Sequence, residues 1–72
     1  MRKTYQMEDL DCAVCAAKME DAIRKIDGVE SVSINYIMQQ MTIEADESRL
    51  AGIMKQASKA CRKIERNCRI IM

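Results

Sequence analysis

The chain has no proline, histidine, phenylalanine or tryptophan, and only two tyrosines and two glycines among its 72 residues. With aromatics at 3% and hydrophobic residues at 49%, any core must be aliphatic, built from Ile, Val, Leu, Ala and Met. No linker, low-complexity tract or solenoid-length repeat is present. The apolar runs are a few residues long, far short of the roughly 20 that cross a bilayer, and no apolar segment follows Met1-Arg2-Lys3-Thr4-Tyr5 as it would in a signal peptide. Twelve Lys and Arg stand against eleven Asp and Glu, with the two signs interleaved, so neither nucleic acid nor an anionic membrane is an expected partner. A chain this short buries only about 60% of the surface its unfolded form exposes. Residues 1–72 therefore read as a single domain, monomeric and cytoplasmic, whose modest stability leans on a ligand. Four cysteines would suit a secreted disulfide scaffold, but without a leader they read as reduced thiols, placed for metal or redox chemistry.

Periodicity supplies the elements. Thr4-Tyr5-Gln6-Met7-Glu8 alternates with Tyr5 and Met7 on one face, a short strand ending at Asp9-Leu10-Asp11. Ala16, Met19, Ile23 and Ile26 recur at helical spacing, predicting a helix over residues 13–27 with Gly28 as the residue after its C-cap. From Val29 the period changes to two, with Val32, Ile34 and Tyr36 on one side of a strand. A turn at residues 37–39 leads to a partner strand with Met41, Ile43 and Ala45 inward. Asp46 reads as an N-cap, and Leu50, Ile53, Ala57, Cys61 and Ile64 form the stripe of a second helix ending near residue 63. Residues 67–72 are the candidate closing strand. The order strand, helix, strand, strand, helix, strand predicts an α+β, ferredoxin-like βαββαβ sandwich: a four-stranded antiparallel sheet with two helices on one face. That topology brings the loop around residues 11–15, the hairpin near Met38 and the loop after Cys61 to one end.

Cys12-Ala13-Val14-Cys15 falls where a strand hands over to a helix. Two thiols at that spacing turn toward one point, and the free N–H groups of the first turn favour thiolate over thiol. Such a pair suits a thiophilic cation such as Zn(II), Cd(II) or Cu(I). A redox-active dithiol remains an alternative. A thioredoxin-like enzyme is disfavoured by the missing cis-proline turn, and a zinc ribbon by the six residues separating Cys61 from Cys68.

Leu10-Asp11-Cys12-Ala13-Val14-Cys15-Ala16-Ala17-Lys18-Met19-Glu20, followed by Ile23, Ile26, Gly28 and Val29, resembles the heavy-metal-associated domain. That family includes copper chaperones and the amino-terminal metal-binding domains of heavy-metal-transporting P-type ATPases. The resemblance implies that Cys12 and Cys15 are the metal thiolates and that Leu10, at the family's usual Met, is an apolar plug beneath the loop. Asp9 stands where the family usually has Gly. Asp before the first Cys resembles the zinc, cadmium and lead exporters more than the copper carriers, which implies Asp11 as a third ligand. Cys61, in phase with a core stripe but at the end of its helix nearest the loop, is a further candidate ligand. Cys68 is expected to be buried, and Ile37 and Met38 to be exposed at the hairpin tip. The expected function is binding of a heavy-metal ion, with Zn, Cd or Pb favoured and Cu(I) as the alternative, and its transfer by ligand exchange to a transporter ATPase core or a partner metal-binding domain. No catalysis is expected of the domain itself.

Overall fold

The computed structural model describes residues 1–71. Its elements are β1 (Arg2–Glu8), α1 (Ala13–Arg24), β2 (Val29–Asn35), β3 (Gln40–Ala45), a 3-10 turn (Glu47–Arg49), α2 (Leu50–Ile64) and β4 (Arg69–Ile70). The four strands form one antiparallel sheet in the order β2-β3-β1-β4, with both helices packed on one face, the ferredoxin-like arrangement expected from the element order.

Alternation sorts the sheet into a dry face and a wet one. Met7, Val32, Met41, Ile43 and Ala45 are buried, and Met19 and Ile23 from α1 and Ile53, Ala57 and Cys61 from α2 close over them. On the open face the side chains are polar: Thr4 and Thr42 hydroxyls meet at 3.1 Å, and Arg2 pairs with Glu44 at 3.6 Å. Among the described residues no exposed aromatic of the kind RNA-binding sheets use for stacking lies on that face.

The boundaries differ from the periodic reading in five places. First, β1 begins at Arg2, because Arg2 and Lys3 lie opposite Glu44 and Ile43 of β3. Second, α1 ends at Arg24, three residues early: Lys25 N–H reaches back to Ala22 and Ile26 N–H to Ile23, tightening the last turn and swinging Ile26 against the core. Gly28 is therefore not the residue after the cap but part of the following turn, at φ +99°. Third, β2 stops at Asn35, leaving Tyr36 in the hairpin turn and exposed. Fourth, Asp46 caps the 3-10 turn, accepting Ser48 N–H at 3.0 Å, and α2 starts only at Leu50. Fifth, the closing strand is two residues long; Met72 of the expected segment lies outside the described residues. The interleaving of charge also lapses over α2, which carries Lys55, Lys59, Arg62 and Lys63 and no acid. Arg62 and Lys63 occupy its last turn, where cations suit the helix dipole.

One edge of the sheet is β2. A bulge between Val29 and Ser31 breaks its register, and the Ile34 N–H donates to the Glu20 carboxylate of α1 at 3.0 Å.

Gly28 sits where a Cβ would come within 3.1 Å of Arg49 Cζ and of Ile53 Cδ1. Both are ends of flexible side chains, so the backbone conformation dominates. Gly28→Ala is expected to destabilise the fold by about 1–3 kcal/mol, seen as a lower urea midpoint with an unchanged slope. Metal affinity in the same variant is expected to match wild type, since α1 carries the chain from the Cys12 loop to the far end.

Candidate metal centre

The loop between β1 and α1 opens with Asp9 at φ +60°. This is the left-handed conformation that glycine adopts freely and that aspartate, with its short polar side chain, tolerates better than most residues. Asp9 thus keeps a glycine-type backbone where the family resemblance has glycine. Leu10 follows with 1% of its surface exposed, the apolar plug expected beneath the loop. Its N–H donates to Gln39 Oε1 at 3.0 Å, and its C=O accepts from Gln39 Nε2.

Cys12 is the N-cap of α1, in extended conformation (φ −136°, ψ 118°). Its Sγ accepts the Cys15 N–H at 3.2 Å, and its C=O accepts the Ala16 N–H at 3.0 Å. A sulfur here performs the task usually given to a Ser or Asp oxygen. The hydrogen bonds from Cys15, side chain first and backbone second, hold the Cys12 thiol below its ordinary value. The same contact, with burial and the neighbouring sulfur's charge behind it, pushes Cys15 up. The two thiols thus share one contact that favours the charged form of Cys12 over that of Cys15, and both residues are half-buried.

Asp11 is exposed beside Cys12, and its backbone C=O accepts the Tyr36 hydroxyl at 3.3 Å. Among the described residues no three His, Cys, Asp or Glu side chains form a ready-made cluster for an ion; the two close donors are Cys12 and Cys15. Cys61 is fully buried on α2, its thiol pushed up to about 12 by burial, so it is stored protonated within the core. Cys68 is equally buried and is likewise raised, first by burial and then by the negative charge of Glu65, Asp9 and Asp11. The hydrogen bonds of Gln39 and Tyr36 join the hairpin to the loop around Leu10 and Asp11, and the nearness of Cys68 to Glu65, Asp9 and Asp11 puts the loop after Cys61 at the same end. Ile37, 85% exposed, and Met38, 57% exposed, project there as expected, joined by Val14 at 64%.

Periodicity places Tyr36 on the inward side of a strand and Gln39 in the following turn, and gives neither a role at the loop. Their side chains reach backbone groups 25 and 29 residues away, a relation with no period and no motif.

Comparison with known proteins adds to this geometry. The profile of the family described as "Heavy-metal-associated domain" matches residues 4–66. A zinc/cadmium/lead-transporting P-type ATPase of Shigella sonnei is 30% identical over 59 residues, covering 82% of this chain and 8% of that protein. The copper chaperone CopZ of Staphylococcus aureus is 33% identical over 50 residues, 69% of this chain and 74% of the chaperone. Among solved structures, the N-terminal domain of ZntA in its Zn(II) form superposes with a TM-score of 0.72 at 27% identity, covering 97% of this chain and 88% of that one. The chain thus spans less than a tenth of the transporter's length and most of the chaperone's.

Proposed function

The chain belongs to the heavy-metal-associated domain family, a metal-binding module here with Cys12 and Cys15 close together, and on that premise we propose that it carries a soft or borderline heavy-metal ion as cargo and passes it on by ligand exchange. The ligands in this reading are the Cys12 and Cys15 sulfurs with the Asp11 carboxylate. Zn(II), Cd(II) or Pb(II) is favoured over Cu(I), and the recipient is a transporter ATPase core or a second metal-binding domain on the cytoplasmic side.

The observation that supports this most directly is the half-exposed thiol pair at the start of α1, with Cys12 already disposed toward thiolate. An incoming ion meets two adjacent sulfurs, and any proton they carry is released to solvent as the metal–sulfur bonds form. Two or three protein donors leave a coordination position free, so an acceptor thiolate binds before a resident sulfur leaves, and the ion never enters bulk water. Cys61 and Cys68 do not take part, being neutral and enclosed. No helix among the described residues is long and apolar enough to cross a membrane.

Asp11 decides the metal class. Zn(II) and Cd(II) accept a carboxylate oxygen, whereas Cu(I) is satisfied by two sulfurs. The Asp11 side chain is exposed beside Cys12, and in this reading it rotates toward the sulfurs when the ion binds. Asp11→Asn is expected to weaken Zn(II) and Cd(II) binding by about tenfold or more and to leave Cu(I) nearly unchanged. Parallel competitive titrations of wild type and variant check this: equal loss for both metals, or none for either, removes Asp11 from the ligand set. The likeness to CopZ makes a Cu(I) preference in wild type the competing result.

A further inference from the structure

The metal loop is held from the side by a residue that no ligand argument requires. Gln39 lies at the hairpin tip with φ +56°, and its C=O accepts the Met7 N–H at 2.7 Å, which seats it against the end of β1. Its side-chain amide then makes three hydrogen bonds. Oε1 accepts from Leu10 N–H at 3.0 Å, while Nε2 donates to the carbonyls of Leu10 and of Tyr36, the latter at 2.9 Å. Only this orientation of the amide works, because the reverse would set NH₂ against N–H and oxygen against two carbonyls. The hairpin tip is itself braced, with Met38 N–H donating to Asn35 Oδ1 at 3.0 Å.

Both backbone polar groups of Leu10 are thus taken up by one side chain, and its own side chain is buried. One residue on, the Tyr36 hydroxyl holds Asp11 C=O; one further, Cys12 is tied into α1 through Ala16 and Cys15. The segment 10–12 is therefore fixed by the hairpin on one side and the helix on the other.

We infer that Gln39 is a positioning residue of the metal site: its amide clamps Leu10, and through it the Leu10–Cys12 segment, in the conformation that presents both sulfurs to one ion. The inference rests on the proposed reading that Cys12 and Cys15 hold the metal. Without the clamp, the Leu10 peptide groups exchange their partners for water and the loop gains alternative conformations. Cys12 then leaves the ion more often, and a chelate open at one arm loses its metal. Capture is less affected, because it begins with a single sulfur at an exposed helix start. The signature is a faster release with an unchanged uptake.

Gln39→Met keeps the length of the side chain and removes its three side-chain hydrogen bonds while leaving the backbone contact to Met7 in place. Stopped-flow transfer of Cd(II) from the reduced protein to a chelator in excess is expected to quicken by about tenfold, within the range seen when groups that orient metal ligands are removed. The bimolecular uptake rate is expected to stay within about twofold of wild type. Amide hydrogen exchange of the metal-free variant is expected to be faster at Leu10 and unchanged at Met41 and Ile43. A merely structural role lowers the melting temperature and leaves release from the folded protein at the wild-type rate. Tyr36→Phe, which deletes one hydroxyl at an exposed position, is the second variant should Gln39→Met not fold; it is expected to quicken release by about threefold, in keeping with one neutral hydrogen bond. Wild-type release rates in whichever of these variants fold overturn the inference and leave the proposed function standing. Failure of the reduced wild-type protein to take up Cd(II) overturns that function and the inference with it.

Discussion

Cys12→Ser and Cys15→Ser are each expected to abolish tight heavy-metal binding while leaving the fold in place. A serine hydroxyl stays protonated at neutral pH and offers a hard, neutral oxygen where a soft anion is wanted. With apparent zinc affinities of four-ligand sites near 10–16 kcal/mol, one ligand is worth about 3 kcal/mol, so the loss is about a hundredfold or more. The fold survives for a specific reason at Cys12. Its sulfur caps α1 by accepting the Cys15 N–H, and serine is among the preferred capping residues. Cys15 packs only at the margin of the core, so its replacement also leaves the helix standing. Competitive titration gives the affinity, and an unchanged far-ultraviolet circular dichroism spectrum with a near-native melting curve gives the fold. Wild-type affinity in either variant removes the thiol pair as the binding site.

Ile43→Ala is expected to remove much of the stability of the metal-free protein. Ile43 lies in the middle of β3, opposite Lys3 on one side and Val32 on the other, and has no exposed surface. Truncation of such a side chain costs about 2–5 kcal/mol through lost burial and the cavity left behind. A domain of this length has about 4–11 kcal/mol in total. Urea unfolding of the metal-free variant is expected to show a midpoint reduced by about half with little change in slope. Saturating metal then restores part of the loss. Because the thiols converge only in the folded chain, an ion at a hundred times its dissociation constant adds about 2.7 kcal/mol. A midpoint indifferent to metal in this variant would mean that the thiol pair binds equally well in the unfolded chain.

The elements that alternate or repeat most strictly were the most legible. Met41, Ile43 and Ala45 all turn inward as the period of two requires, and Leu50, Ile53, Ala57 and Cys61 all fall on the buried side of α2. The thiol pair at the start of α1 was readable for the same reason, since its spacing is local. What escaped depends on contacts between distant parts of the chain. The early end of α1 lies in the three-residue hydrogen bonds of Lys25 to Ala22 and Ile26 to Ile23, which keep Ile26 against the core and so leave the same apolar spacing as a continued helix. Tyr36 continued the alternation of β2 on paper, yet the hairpin claims it, and its hydroxyl reaches Asp11 instead of the core. Gln39 reads as one more polar turn residue until its amide is seen against Leu10. Asp9 carried a backbone conformation that its side chain does not advertise.

The β2 edge has a consequence for how such a domain behaves at high concentration. A free strand edge is a template on which another chain adds its own strand, and runs of such additions end in aggregates. Here the bulge at Val29 and Ser31 throws the hydrogen-bonding row out of line, and the Glu20 carboxylate already occupies the Ile34 N–H. The outward residues Glu30, Ser31, Ser33 and Asn35 are exposed and polar. At the opposite margin β4 offers a template only two residues long. Both margins of the sheet are thus poor templates for a strand from another copy, so self-association through the sheet edges is disfavoured while the thiol loop, at the end of the sheet, stays uncovered.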